Sequence, residues 1–142
     1  MSASELPRLL FVCVENSNRS QMAEAFARIH GAGRYEAWSA GSRPSGLVNP
    51  KAIAALAERG YDLSTHRSKS VDELPRAPFA AVITMGCGDA CPSVASRIHE
   101  DWQIPDPKHM PPAAFAEVRD RIEREVRGLI ARLDAAAASA AC

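Results

Sequence analysis

Residues 9–14 read LLFVCV, an apolar run with no polar residue in alternation. A strand with one face in water alternates apolar and polar residues. A run without alternation is buried on both faces, as in the interior of a parallel sheet. The pattern then changes period. Met22, Ala23, Phe26, Ala27 and Ile29 recur at helical spacing, and the Gly31-Ala32-Gly33 stretch stops the helix. A parallel strand needs a crossover before its partner, so strand-then-helix predicts βαβ units.

The rest of the chain repeats this alternation. Residues 35–40 predict a second strand, and residues 41–46 a turn-rich connection. Asn49-Pro50 reads as a helix N-cap and first helical residue, with Ile53 and Leu56 facing inward and Gly60 as the stop. Residues 79–85 predict a third strand, broken by the GCGDACP segment at 86–92. A short strand is expected near residues 99–102, followed by a rigid Pro105-Asp106-Pro107 loop. From Pro111 a long helix is expected, with Phe115, Val118, Ile122, Val126, Leu129, Ile130 and Leu133 on one face. Its alanine-rich end, 135–142, is expected to fray, as is the N-terminal stretch 1–7. The 142 residues suit one domain, with no repeat and no interdomain linker.

The class is therefore α/β with a mainly parallel sheet. In such sheets ligands bind beyond the carboxyl ends of the strands. Cys13, Cys87 and Asp106 each fall just after a predicted strand, so the fold brings them to one edge. Seventeen basic and seventeen acidic residues balance, and no basic run stands out, which argues against a nucleic-acid partner. No stretch has the roughly 18 apolar residues of a membrane span. The N-terminal residues are too polar for a signal peptide, so a cytoplasmic protein is expected. There, cysteines read as reactive or packed thiols rather than a disulfide framework.

The residues after the first strand, Cys13-Val14-Glu15-Asn16-Ser17-Asn18-Arg19-Ser20, have the form C-x5-R-S. A loop of this length wraps a tetrahedral oxyanion with its backbone N–H groups, and the following helix adds its positive end. Arg19 supplies a forked, permanently charged donor. The same positive field favours the thiolate, which is the nucleophilic form of Cys13. Ser20 is placed to donate to the sulfur. Glu15 and Asn16 are expected to point outward, since the backbone makes the cradle. The plain alternative is a packed cysteine beside a surface arginine. The strand–loop–helix context argues against it.

The stretch CVENSNRSQMAE, with Ser39-Ala40-Gly41, Asn49-Pro50-Lys51-Ala52 and the Ser64, His66, Ser68 spacing in the same order, resembles the low-molecular-weight tyrosine phosphatase superfamily. The resemblance covers residues from Arg8 to the final helix. It implies a three-layer fold with a four-stranded parallel sheet flanked by helices, and an oxyanion site at Cys13 and Arg19. It also implies that Asp106, before Pro107, is the general acid. Phosphatases of this superfamily typically carry an aromatic residue next. Lys108-His109-Met110 stands here instead.

Cys87 and Cys91 resemble the redox segment of the thioredoxin-linked arsenate reductases of this superfamily, with a closer spacing than is usual there. That likeness implies a relay. Cys13 attacks arsenate, Cys87 attacks Cys13, Cys91 attacks Cys87, and thioredoxin reduces the resulting pair. Arsenate is then the substrate, with phosphate or sulfate as mimics, thioredoxin the partner, no cofactor, and a monomer the expected state. The other readings are a phosphatase of aryl phosphates, a non-catalytic oxyanion or redox sensor, and a mycothiol- or glutaredoxin-coupled reductase. A zinc half-site at Cys87 and Cys91 lacks a second pair. Cys142 is expected to do nothing.

His30, His66, His99 and His109 show no ligand spacing and are expected to be surface or capping residues, with His109 nearest Asp106. Trp38 and Trp102 are expected in the core or at its rim. Some reductases of the superfamily hold a cation with residues that match Asn16, Glu24 and Ser39. Here Lys69 lies nearby, and its ammonium is expected to pair with Glu24 in the ion's place, with no bound metal.

Overall fold

The computed structural model describes residues 6–75, 78–86 and 96–141. Cys87, Cys91 and Cys142 lie outside them. Strand β1 (Arg8–Cys13) leads into helix α1 (Arg19–His30), strand β2 (Glu36–Gly41) and helix α2 (Pro50–Ala57). Two short 3₁₀ turns follow, at Leu63–Thr65 and Val71–Glu73, then strands β3 (Phe79–Thr84) and β4 (Ser96–Asp101) and the long helix α3 (Pro112–Ala141).

The four strands form one parallel sheet in the order β2-β1-β3-β4. The apolar run that began the sequence is thus an inner strand with a neighbour on each side. Its alternate residues serve opposite faces. Leu9 and Phe11 pack with Met22, Phe26, Leu56, Ile122 and Leu129 from α1, α2 and α3. Leu10 and Val12 pack with Ala40, Phe79 and Val82, against Trp38, Val71 and Leu74. Among the described residues, the second face is therefore covered by the turn around Val71. Edge strand β4 alternates partly buried and exposed residues, and its polar composition suits an edge.

Three local signals place α2. Asn49 accepts from the Lys51 N–H, Pro50 opens the helix, and Gly60 takes φ +77° after its end. The buried guanidinium of Arg119 on α3 donates to Ala55 O at 3.0 Å and Glu58 at 2.8 Å, tying the two helices together. Helix α3 runs through Ala141. Alanine is the strongest helix former. The helix is also held at Asp134, which accepts from Tyr35 Oη at 2.7 Å and from Arg34 at 3.2 Å. Among the described residues no helix is long and apolar enough to cross a membrane.

Candidate oxyanion site

Cys13 closes β1, opposite Gly41 of β2, and its side chain is buried. The loop that follows turns back over Gly41. A Cβ at 41 would lie 2.6 Å from Val14 O and 3.0 Å from Asn16 N, so only glycine lets the loop sit there. Asn16 takes φ +51°, a left-handed conformation that asparagine tolerates better than most residues.

The loop carbonyls all find donors outside the loop. Cys13 O, Val14 O and Glu15 O accept from the N–H groups of Ser42, Arg43 and Ser45. Asn16 O accepts from Gln21 Nε2, and Ser17 O from the Asn49 N–H. With the carbonyls turned away, the N–H groups of Glu15, Asn16, Ser17 and Asn18 donate to no acceptor among the described residues. The first turn of α1 has no side-chain cap either. Unpaired N–H groups at a helix start form a concave donor surface for an anion.

The loop borders a cavity of about 200 Å³ lined by Cys13, Val14, Glu15, Ser17, Asn18, Arg19 and Asp106. Arg19 is 8% exposed; its Nη1 donates to Ile104 O at 3.0 Å, and Nη2 lies 3.9 Å from Asp106 Oδ2. One buried guanidinium is therefore aimed from both sides. Asp106 is about half exposed and accepts the Lys108 N–H at 3.0 Å, the turn that Asp-Pro favours. The fold thus brings Cys13, Arg19 and Asp106 to one cavity. Cys87 and Cys91 lie outside the described residues, but Gly86 does not. A Cβ there would lie 2.6 Å from Arg19 Nη1, so the chain enters the 87–95 segment against the arginine.

The reading of Asn16 as outward-facing is corrected. Glu15 does face outward, to Lys108 at 3.2 Å, but Asn16 is fully buried. Its Oδ1 accepts from the Lys69 N–H at 2.9 Å, and its Nδ2 donates to Ser20 Oγ at 2.7 Å. This sets the direction of the next bond. The Lys69 N–H can only donate, so the Asn16 amide must turn its NH₂ to Ser20. The Ser20 hydrogen is then free for Cys13 Sγ, 2.9 Å away. The hydroxyl therefore donates to the sulfur.

His66 is also corrected. Its backbone does cap the 3₁₀ turn at Leu63–Thr65, its N–H donating to Leu63 O at 3.0 Å, but its side chain is not at the surface, being 5% exposed. Gln21 Nε2 donates to Arg67 O at 2.9 Å and to Asn16, so Gln21 Oε1 accepts from His66 Nδ1 at 2.9 Å. His66 Nε2 then accepts from the Tyr61 hydroxyl at 2.6 Å. Burial pushes the imidazole below its ordinary 6.5, against the opposing pull of Glu24, so the ring is neutral near pH 7. A hydrogen-bonded chain therefore runs from Tyr61 through His66, Gln21, Asn16 and Ser20 to Cys13. No spacing rule flags such a chain, since it joins positions 13 to 66 through loop contacts.

A second cavity, about 320 Å³, lies beside this chain and is lined in part by Glu24, Arg28, His66 and Lys69. Glu24 accepts from Ser39 Oγ at 2.6 Å and pairs with Arg28 at 2.8 Å. Lys69 is buried, and its Nζ lies 3.7 Å from Glu24 Oε1, as the sequence suggested. Burial pushes the Lys69 amine below its ordinary value, while Glu24 pulls the other way. Among the described residues no group of three His, Cys, Asp or Glu side chains is placed to hold a metal ion.

Comparison with known proteins agrees with the fold. The family described as low molecular weight phosphotyrosine protein phosphatase matches residues 8–139. The glutaredoxin arsenate reductase of Synechocystis sp. is 38% identical over 131 residues, covering 90% of this chain and 99% of that protein. A solved arsenate reductase in the phosphate-binding state superposes with a TM-score of 0.82 at 38% identity, over 89% of this chain and 98% of that one. The Corynebacterium glutamicum thioredoxin-dependent arsenate reductase gives 0.78 at 31% identity, over 94% of this chain and 65% of that one.

Proposed function

Because the chain belongs to the low molecular weight phosphotyrosine protein phosphatase family, we propose that it uses the family's site to reduce arsenate to arsenite. The observation that carries the reading is the cavity at the end of β1. A nucleophilic sulfur, free N–H groups, a buried arginine and an aspartate face one small volume. That set fits a tetrahedral oxyanion attacked at its centre.

The chemistry follows from the placement. The loop and Arg19 hold three oxygens, and Ser20 hydrogen-bonds the attacking Cys13 sulfur. Asp106 stands at the cavity to protonate the departing oxygen, which leaves as water. The result is a sulfur–arsenic(V) bond at Cys13. Attack of the Cys87 thiolate on Cys13 Sγ breaks that bond, and its electron pair stays on arsenic. Arsenic(III) leaves as arsenite, and a Cys13–Cys87 disulfide remains. Cys91 then attacks Cys87, which frees Cys13 and leaves a Cys87–Cys91 disulfide for an external dithiol. The order follows the chain, Cys87 coming before Cys91.

Thioredoxin is the proposed electron donor, because an internal cysteine pair suits a dithiol partner. The relatives carry both thioredoxin and glutaredoxin in their names. The test is arsenate-dependent NADPH oxidation with thioredoxin and thioredoxin reductase, run in parallel with glutathione and glutaredoxin and with mycothiol. Turnover with thioredoxin that vanishes in Cys91→Ser supports the relay. Turnover that survives Cys91→Ser, or that needs glutaredoxin, overturns it while leaving the reductase. No arsenate-dependent turnover with thioredoxin, glutaredoxin or mycothiol as donor would sink the reductase reading and leave an aryl phosphatase or a non-catalytic oxyanion sensor.

A further inference from the structure

Lys108 stands two residues beyond Asp106 and reaches back to the oxyanion loop. Its N–H donates to Asp106 Oδ1 at 3.0 Å, and its ammonium lies 3.4 and 3.2 Å from the two Glu15 oxygens. Its carbonyl accepts from Lys51 Nζ at 3.3 Å, which fixes the same loop to the first turn of α2. Glu15 and Asp106 both line the cavity, one from the loop after β1 and the other from the loop after β4. Cys13, Ser17, Asn18 and Arg19 are buried and form the floor, whereas Glu15 is half-buried and Asp106 exposed, so these two mark the rim. The Glu15–Lys108 pair therefore joins two sides of the cavity mouth.

We propose that this pair is a specificity-determining strap, which admits a bare tetrahedral oxyanion and disfavours one esterified to an aromatic ring. The inference rests on the oxyanion reading of the cavity. Three oxygens of a bound anion face the N–H groups of the floor, so any group on the fourth oxygen must leave through the mouth. A hydroxyl or an oxide fits beneath the strap. A ring must displace Lys108 from Glu15 and uncover two opposite charges. The two side chains are 45% and 40% exposed, so the pair opens readily and acts on selection rather than on folding.

The test needs no turnover. Inorganic phosphate and phenyl phosphate are each titrated for protection of Cys13 against iodoacetamide, read on the Cys13 peptide by mass spectrometry. The quantity is the ratio of the two protection constants. In the charge-neutral Glu15→Ala/Lys108→Ala variant the ratio should move about fivefold or more towards phenyl phosphate, the factor for an exposed pair worth ~1 kcal/mol. Glu15→Gln and Lys108→Met singly should shift it in the same direction. A ratio within twofold of wild type in the double variant overturns the strap. Opposite shifts in the single variants also overturn it, since net charge would then be the cause. Failure of the oxyanion reading looks different: neither anion would protect Cys13 in wild type, and the strap would fall with it.

Discussion

Alanine at position 86 should weaken anion binding far more than it weakens the fold. Gly86 takes φ +82°, where a Cβ costs roughly 1 kcal/mol. The new methyl would also lie 2.6 Å from Arg19 Nη1. Ordinary contact needs about 3.5 Å, so the guanidinium must retreat by roughly 1 Å. Arg19 has little room for that, being 8% exposed and bonded to Ile104 O at 3.0 Å. Moving it spoils at least one charged hydrogen bond to a bound oxyanion, each worth about 1.5–3 kcal/mol. That converts to about a 10- to 100-fold loss of affinity. Isothermal titration with phosphate at fixed ionic strength reads the binding, and denaturant unfolding reads the fold. The expected Gly86→Ala variant stays folded, loses ~1 kcal/mol of stability and binds phosphate at least about tenfold more weakly. A folded variant whose phosphate Kd lies within twofold of wild type would refute the reasoning, because Arg19 would then not be the anion's ligand in this position.

Three other outcomes are expected. Asn16→Ala leaves the buried Lys69 N–H without its acceptor and frees the Ser20 hydroxyl to turn. It should cost roughly 2–4 kcal/mol and slow alkylation of Cys13 at pH 7; a loss below about 1 kcal/mol would show that the Lys69–Asn16 bond carries little. For His66, burial keeps the folded ring from binding a proton as readily as the unfolded one does. Its share of stability is full above the ordinary value of 6.5 and is lost as pH falls below that towards the lowered folded value. The stability gap between wild type and His66→Asn should therefore narrow from pH 7 to pH 5, and equal slopes for the two proteins would contradict the burial of a neutral ring. Both tyrosines should resist ionisation. Burial and the bond to Asp134 push Tyr35 up to about 12, and burial raises Tyr61. An absorbance step at 295 nm near pH 10, with far-ultraviolet circular dichroism still native, would count against that packing.

Most of the fold could be read from period and punctuation. The apolar run at 9–14, the 3.6-residue spacing after it, and the Asn49-Pro50 start of α2 are local signals, and each element stands within a residue or two of its expected place. Strand β4 was harder to read. Its sequence SRIHED carries only one large apolar residue, and its strand form depends on pairing with β3 from Phe79↔Ser96 to Thr84↔Asp101. The end of α3 was hard to read for a related reason. Alanines carry no packing pattern, and the anchor at Asp134 lies about 100 positions from its partners.

In the candidate site, the sequence by itself determined which groups stand together after β1. C-x5-R-S after a buried strand requires a sulfur, a cradle and an arginine within one short loop, because those residues are neighbours in the chain. Tertiary structure alone decided how they are poised. It turned Asn16 inward, made His66 part of a buried chain to Cys13, set Asp106 at the same cavity and paired Lys108 with Glu15. Each of these depends on groups dozens of residues apart: the Lys69 N–H on Asn16, Gly86 on Arg19, Lys108 on Glu15. A hydrogen bond has a direction only once both partners are placed, and packing of the whole sheet is what places them.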